Sequence, residues 1–323
     1  MIWSSFGKAF VIALVLTPVI RDIFRAYNVV DRPGVRKVHA YPIPRLGGIA
    51  VAVAYTAALV TLPVGRLPSL VLPPAAVLLV TGILDDFFNL PPAYKLLGQI
   101  LSAGIAFAGG IRLAGPLLIS LPLTMLWLLA ATNAFNLVDG LDGLCAGLGF
   151  ASGAILFAMA WIQGNVALES AVIPLAGSLL GFLCYNFSRA TMFLGDSGAL
   201  LVGFLLGCYG VIWTRGEPAG VHLVAPALAL SVPLLDLGLS VIRRVAAHHP
   251  IFSADRRHVH HRLLDRGLSP MQAVLILYAW AISGGVFALL LGYPPLRPWW
   301  AVLLAGFVAT VLFGVRQLRY SEF

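Results

Sequence analysis

Asn133-Ala134-Phe135-Asn136-Leu137-Val138-Asp139-Gly140-Leu141-Asp142-Gly143-Leu144 separates two long apolar runs, residues 117–129 before it and 145–161 after it. Two carboxylates, two amides and two glycines therefore stand at the mouth of a helix pair long enough to cross a bilayer. An ionised group costs roughly 2.5–3.5 kcal/mol at the centre of a membrane helix, so acids kept near hydrocarbon are read first as functional. On a helical end Asp139 and Asp142 lie at i and i+3 and share a face. The glycine after each lets a ligand approach the backbone. The plainer alternative is a polar loop between two spans, with glycine as the turn former.

Composition supports the membrane reading. Of 323 residues 60% are hydrophobic and 11% charged, and the mean hydropathy is +0.93. A soluble domain is nearer half apolar and a quarter charged. The net charge of +8 would suggest a nucleic-acid partner in a soluble protein; here the bias of basic residues toward cytoplasmic loops explains it, and no nucleic-acid partner is expected. Cys145, Cys184 and Cys208 are odd in number and sit in or beside apolar runs, as packed thiols do. Lys8 precedes an apolar run that ends at Arg21 and Arg25 without a small-residue cleavage site, which reads as a retained first span.

The expected fold is an all-α integral membrane bundle, one domain over residues 1–323 with about eleven spans. They fall at residues 5–24, 46–63, 70–84, 96–110, 117–135, 144–163, 167–187, 198–214, 221–242, 271–291 and 299–315. Loops after odd-numbered spans hold nearly every ionisable residue; those after even spans are short and hold Arg66, Arg112, Arg215 or Arg297. That asymmetry places the polar loops in the cytoplasm, the N-terminus outside and the C-terminus inside. Gly177/Gly181 and Gly203/Gly207 have the small-xxx-small spacing of close helix packing.

Five polar loops share the one face. The first holds Arg36, Lys37 and His39, followed by Pro42, Pro44 and Gly47-Gly48, a stiff basic segment suited to phosphates or to anionic lipid. The second is Asp85-Asp86 with Lys95. Its carboxylates suit a hard divalent cation or a general base, and its lysine suits a phosphate or a snorkelling position. The third is the stretch quoted above. The fourth, Phe193-Leu194-Gly195-Asp196-Ser197-Gly198, offers a lone acid between glycines, either a metal ligand or a helix cap. The fifth runs from Arg243-Arg244 through Asp255-Arg256-Arg257 to His258, His260, His261 and Arg262, where arginines among histidines fit a diphosphate better than a transition metal. Asp236 lies within the ninth expected span, and the sequence leaves its role open.

Taken in this order, from Asp31 to Gly267, the five loops resemble those of the polyprenyl-phosphate N-acetylhexosamine-1-phosphate transferases. These membrane enzymes move a sugar-1-phosphate from a UDP-sugar to a lipid phosphate and release UMP. Arg243-Arg244, Asp255-Arg256-Arg257 and Arg262-Leu263-Leu264 are most similar to the bacterial UDP-GlcNAc:undecaprenyl-phosphate branch (the WecA/TagO branch), as is an eleventh span. Cys145, Ala199 and His248-His249 depart from the usual pattern and bear on sugar preference.

The resemblance implies that Asp196 with Asp85 and Asp86 holds Mg²⁺, with Mn²⁺ as a substitute, and that Asp85 is a candidate base. Asn133, Asn136, Asp139 and Asp142 would line the nucleotide-sugar site; Arg36, Lys37, His39 and Lys95 would bind substrate. His258, His260, His261, Arg256 and Arg257 would hold the diphosphate. The implied partners are undecaprenyl phosphate, a UDP-sugar and membrane lipid, in a bacterial inner membrane, and a homodimer is compatible. The product would enter a cell-envelope polysaccharide such as lipopolysaccharide or teichoic acid. Donors of the same reaction class are UDP-MurNAc-pentapeptide or a 6-deoxy-N-acetylhexosamine. A cation-coupled transporter is the rival from another class, but transporters gather their ionisable residues near the midplane, often in repeats.

Overall fold

Apolar chain in hydrocarbon must satisfy its backbone polar groups internally, so runs of Leu, Ala, Val and Gly close into helices. The structure, a computed structural model, describes residues 2–31, 41–62, 65–215, 224–248 and 258–317. Its helices are α1 (Ile2–Ala26), α2 (Gly47–Leu59), α3 (Leu67–Phe88), α4 (Pro92–Ala108), α5 (Leu117–Val138), α6 (Leu144–Gln163), α7 (Val166–Asn186), α8 (Gly195–Thr214), α9 (Val224–Ala229), α10 (Ser231–Ala246), α11 (Val259–Asp265), α12 (Pro270–Gly292) and α13 (Trp300–Gln317). One two-stranded antiparallel ribbon, β1 (Val30–Asp31) against β2 (Ile43–Pro44), lies between α1 and α2. The protein is an all-α integral membrane protein.

Six helices, α3, α5, α6, α7, α8 and α12, are each long and apolar enough to cross a membrane. Helical chain stands at every one of the eleven expected positions, with differences that have physical causes. α1 is long enough but carries Lys8, Arg21, Asp22 and Arg25. α2 has 13 residues and α4 has 17, short of the ~20 that span a bilayer upright. The ninth expected span divides at Leu230 into α9 and α10; α10 is the polar-faced half, with Asp236, Ser240 and Arg243 buried.

α8 is the centre of the bundle. It is wholly enclosed, packed by α5, α3, α2 and α6. Such closeness needs small residues: a Cβ on Gly203 would stand 2.5 Å from the Ala131 carbonyl oxygen of α5. Gly177 and Gly181 do the same for α7, where side chains would collide with the Phe6 and Phe10 carbonyls of α1. Both sequence pairs thus mark real helix crossings. Outward-facing Val11, Val15 and Val19 on α1 and Leu117, Leu118 and Leu121 on α5 are exposed, as lipid-facing surface requires. Burying α8 fixes the position of its N-terminus, where the fourth polar loop enters.

Candidate active site

The N-terminus of a buried helix has backbone N–H groups that need acceptors. Asp86, at the end of α3, supplies them: the N–H groups of Asp196 and Ser197 donate to its two carboxylate oxygens at 2.9 and 3.0 Å. The approach is close enough that a side chain on Gly82 would collide with Ser197, and one on Gly48 with Gly198. The segment leading into α8 is also tied down by backbone. Gly47 and Gly48 donate to the Phe193 and Leu194 carbonyls at 3.0 and 2.9 Å, and Phe193 donates to Pro44 at 2.9 Å. Asp196 is therefore presented by a rigid frame.

Its side chain gathers partners from three helices. Lys95 of α4 bridges Asp196 and Asp85, with 2.9 Å to the Asp85 oxygen. Asn136 of α5 donates to the other Asp196 oxygen at 2.9 Å. Asp85 and Asp86, adjacent in sequence, are thereby divided: one meets the lysine, the other caps α8. Asn133, expected in the nucleotide-sugar site, instead exchanges two amide hydrogen bonds with Gln99 of α4, at 2.6 and 3.2 Å. That places it one turn below Asn136, joining α4 to α5.

On the other side of Asp196 opens a cavity of about 1220 Å³, lined by Asp86, Asp139, Asp142, Asp196, Arg189 and His261 among others. Sequence separation hid the convergence of these loops, and Arg25, Asp31 and Arg45 join the lining as well, the last two as an ion pair. The loop after α5 is held from three directions. The Ala190 N–H donates to Asp142 at 2.8 Å, the Gly143 N–H donates to Asn186 at 3.1 Å, and the Tyr278 hydroxyl donates to the Gly143 carbonyl at 2.5 Å. Burial, and then the charges of Asp196, Asp86 and Asp142, push the Asp139 carboxyl well above the ordinary carboxylate range; the Gly195 N–H opposes this.

The histidine turn is fixed by Asp236, the acid whose role the sequence left open. Its carboxylate meets His258 Nδ1 at 2.9 Å and accepts the Val259 N–H at 2.8 Å, so it caps α11 from α10. His260 stacks on His258, with centroids 5.7 Å apart, and lies 4.2 Å from His261. Gly140 has no side chain because His260 Nε2 occupies that space, 2.6 Å from where a Cβ would stand. Burial and the neighbouring His261 lower the His260 imidazole to about 3, so it is neutral at physiological pH. His261 reaches the cavity, whereas His258 and His260 set its position. Arg36, Lys37, His39, Arg256 and Arg257 lie outside the described residues.

Among the described residues no three His, Cys, Asp or Glu side chains converge closely enough to enclose a metal by themselves. The donor set nonetheless suits Mg²⁺. Asp86, Asp139, Asp142 and Asp196 present only oxygens to the cavity, the donor type that a hard divalent cation takes. Mg²⁺ commonly uses one or two carboxylates and completes its shell with waters and substrate phosphates.

A family model described as glycosyl transferase family 4 matches residues 69–214. A Bacillus subtilis (strain 168) protein named as a probable undecaprenyl-phosphate N-acetylglucosaminyl 1-phosphate transferase is 33% identical over 299 residues, covering 88% of this chain and 82% of its own. A decaprenyl-phosphate N-acetylglucosaminephosphotransferase of Mycobacterium tuberculosis (strain ATCC 25618 / H37Rv) is 34% identical over 318 residues, covering 84% and 78%. The undecaprenyl-phosphate alpha-N-acetylglucosaminyl 1-phosphate transferase of Escherichia coli (strain K12) is 31% identical over 323 residues, covering 91% and 85%.

Proposed function

The chain belongs to glycosyl transferase family 4, and from that membership we propose that it transfers GlcNAc-1-phosphate from UDP-GlcNAc to undecaprenyl phosphate, releasing UMP. The observation that carries the reading is the position of Asp196. Among the described residues it is the carboxylate that both faces the large cavity and is bridged by Lys95 to Asp85. Two anionic substrates can therefore meet at it from two sides. The nucleotide sugar occupies the cavity, with its diphosphate near Arg189 and His261. The lipid phosphate arrives at the α3–α4 side, where Lys95 supplies positive charge and the apolar side chains of Phe88, Tyr94 and Leu97 are exposed. A polyprenyl chain stays in lipid throughout, which explains a phosphotransferase built from membrane helices.

In the reaction an oxygen of the lipid phosphate attacks the sugar-bearing phosphorus of UDP-GlcNAc. The bond between that phosphorus and the oxygen bridging to the second phosphorus breaks, and UMP leaves with the electron pair on that oxygen. Asp85, beside Lys95, is placed to hold the lipid phosphate in its deprotonated form, the role of a general base. Asn136 fixes one Asp196 oxygen, and Asp86 fixes the helix that carries it, so the reacting groups meet a preorganised charge distribution. Mg²⁺ held at Asp196 and the neighbouring carboxylates of the cavity would neutralise charge growing on the departing UMP. His261 and Arg189 hold the phosphate oxygens of the departing UMP, while Asp139 and Asp142 order the loop beneath the nucleotide sugar. The basic bias of this face supports a site on the cytoplasmic side of a bacterial inner membrane, with the N-terminus outside.

The test is UMP release by purified protein from UDP-GlcNAc, UDP-GalNAc and UDP-MurNAc-pentapeptide, each with undecaprenyl phosphate, in Mg²⁺ and in chelator. UDP-GlcNAc is expected to be the preferred donor and chelator to stop turnover. Preference for the muramyl-peptide donor overturns the sugar assignment, and full activity in chelator overturns the metal.

A further inference from the structure

The face opposite the active site is poor in charge, yet two of its few arginines converge. A second cavity of about 490 Å³ lies there between the α4–α5 connection and the C-terminal end of α8, lined by Arg112, Arg215, Gly110, Leu117 and Ser120 among others. α5 has 22 residues, so this cavity stands roughly 30 Å from Asp139 along the helix axis. Arg215 donates to the Gly110 carbonyl, and Arg112 lies over the Phe107 ring, 6.0 Å from its centroid. Neither has a carboxylate partner among the described residues. They repel one another: burial and then Arg112 lower the Arg215 guanidinium below its ordinary value. Two like charges lining one cavity, with no carboxylate partner among the described residues, suit an anion.

Two further features say which kind. The cavity contains the first turn of α5, whose Leu117 and Leu118 N–H groups precede the helical ladder and, with the helix dipole, favour a phosphate. Beside it Leu117, Leu118, Ile119 and Leu121 are exposed, Leu118 at 90%, forming an apolar surface at the membrane edge. A free anion gains nothing from that surface, whereas acyl chains do. We propose that Arg112, Arg215 and the start of α5 bind the phosphate of an anionic phospholipid in the leaflet opposite the active site. The guanidiniums hold the headgroup oxygens, the leucines cover the chains, and the bound lipid neutralises a repulsion built into the join between α4, α5 and α8. Because it rests on these residues alone, it stands or falls separately from the transferase reading.

The experiment compares melting temperatures of the purified full-length chain in phosphatidylcholine nanodiscs with and without phosphatidylglycerol, for wild type, Arg112→Gln, and Arg112→Gln/Arg215→Gln. The wild type is expected to melt higher with phosphatidylglycerol. Arg112→Gln should lose part of that gain and the double variant most of it, with a cooperative melt and a single size-exclusion peak in phosphatidylcholine retained as evidence of folding. Native mass spectrometry should show phosphatidylglycerol kept by the wild type and lost by the variants. The proposal is overturned if phosphatidylglycerol gives the wild type no gain or if Arg112→Gln keeps all of it. Equal protection of lipid-free, detergent-purified protein by inorganic phosphate overturns the lipid as the ligand. Should the double variant fail to fold, Arg112→Gln decides alone, since that side chain makes no hydrogen bond in the described structure.

Discussion

Asp86→Asn separates two roles that an adjacent acid pair would confuse. In the structure both Asp86 oxygens accept backbone N–H groups of α8, and the residue is 9% exposed. The asparagine has the same shape but one oxygen, so one N–H keeps its acceptor while the other faces an amide donor. Leaving a buried N–H unmet costs about 1–3 kcal/mol, and replacing a charged acceptor by a neutral one weakens the remaining bond. Losing the negative charge at the helix start removes about 0.3–2 kcal/mol of dipole stabilisation. Neutralising a buried carboxylate works in the other direction. The net expectation is a loss of about 1–3 kcal/mol, or roughly 1.5–4.5 °C in melting temperature for a chain of this size. Asp85→Asn is the control: its side chain meets Lys95 and Asp196 and no backbone N–H of α8, and its melting temperature should change far less. Differential scanning fluorimetry of both variants in metal-free detergent buffer reads this directly. If Asp86→Asn melts like the wild type while losing Mg²⁺ affinity, Asp86 is a ligand and not the anchor of α8.

Asp139→Asn should raise the melting temperature in metal-free buffer at pH 8 while lowering turnover. A carboxyl whose folded pKa is raised contributes its stability at low pH and loses it as pH rises, so removing the charge helps at pH 8. His260 titrates in the other sense: its folded value of about 3 lies below the unfolded 6.5. Between these the unfolded chain takes up a proton that the native one refuses, and stability falls as pH falls. From pH 8 to 5.5 this amounts to about 1.4 kcal/mol, and melting curves of His260→Asn should lack that component. Asp196→Asn should abolish UMP release and weaken calorimetric Mg²⁺ binding, because an amide is a poorer ligand for a hard cation. Asp85→Asn should abolish release yet still bind UDP-GlcNAc; metal loss in Asp85→Asn alone would exchange the two roles.

The order and face of the polar loops could be read from the chain because membrane helices announce themselves by hydropathy and charges are excluded between them. Gly177/Gly181 and Gly203 were readable for a related reason, since close helix approach leaves a spacing in the sequence. What could not be read are contacts between side chains on different helices. Asp85 and Asp86 look equivalent, but consecutive residues on a helix point about 100° apart, and only the packing of α3 on α8 tells which one caps. Asn133 belongs to a polar motif, yet its amide is spent on Gln99, a residue with no motif around it. Asp236 precedes His258 by 22 positions, and nothing periodic joins them. The ninth span read as continuous because its hydropathy is, whereas the helix breaks at Leu230 before the polar-faced α10.

The most direct measurement follows the phosphorus. UDP-GlcNAc labelled in the sugar-bearing phosphate is incubated with purified protein, undecaprenyl phosphate and Mg²⁺, and the lipid and aqueous phases are separated. Transfer of GlcNAc-1-phosphate places the label in the lipid phase, one label for each UMP in the water. Label retained in the aqueous phase as UDP, with unlabelled sugar in the lipid, would show transfer of the sugar alone and would contradict attack at phosphorus beside Asp196.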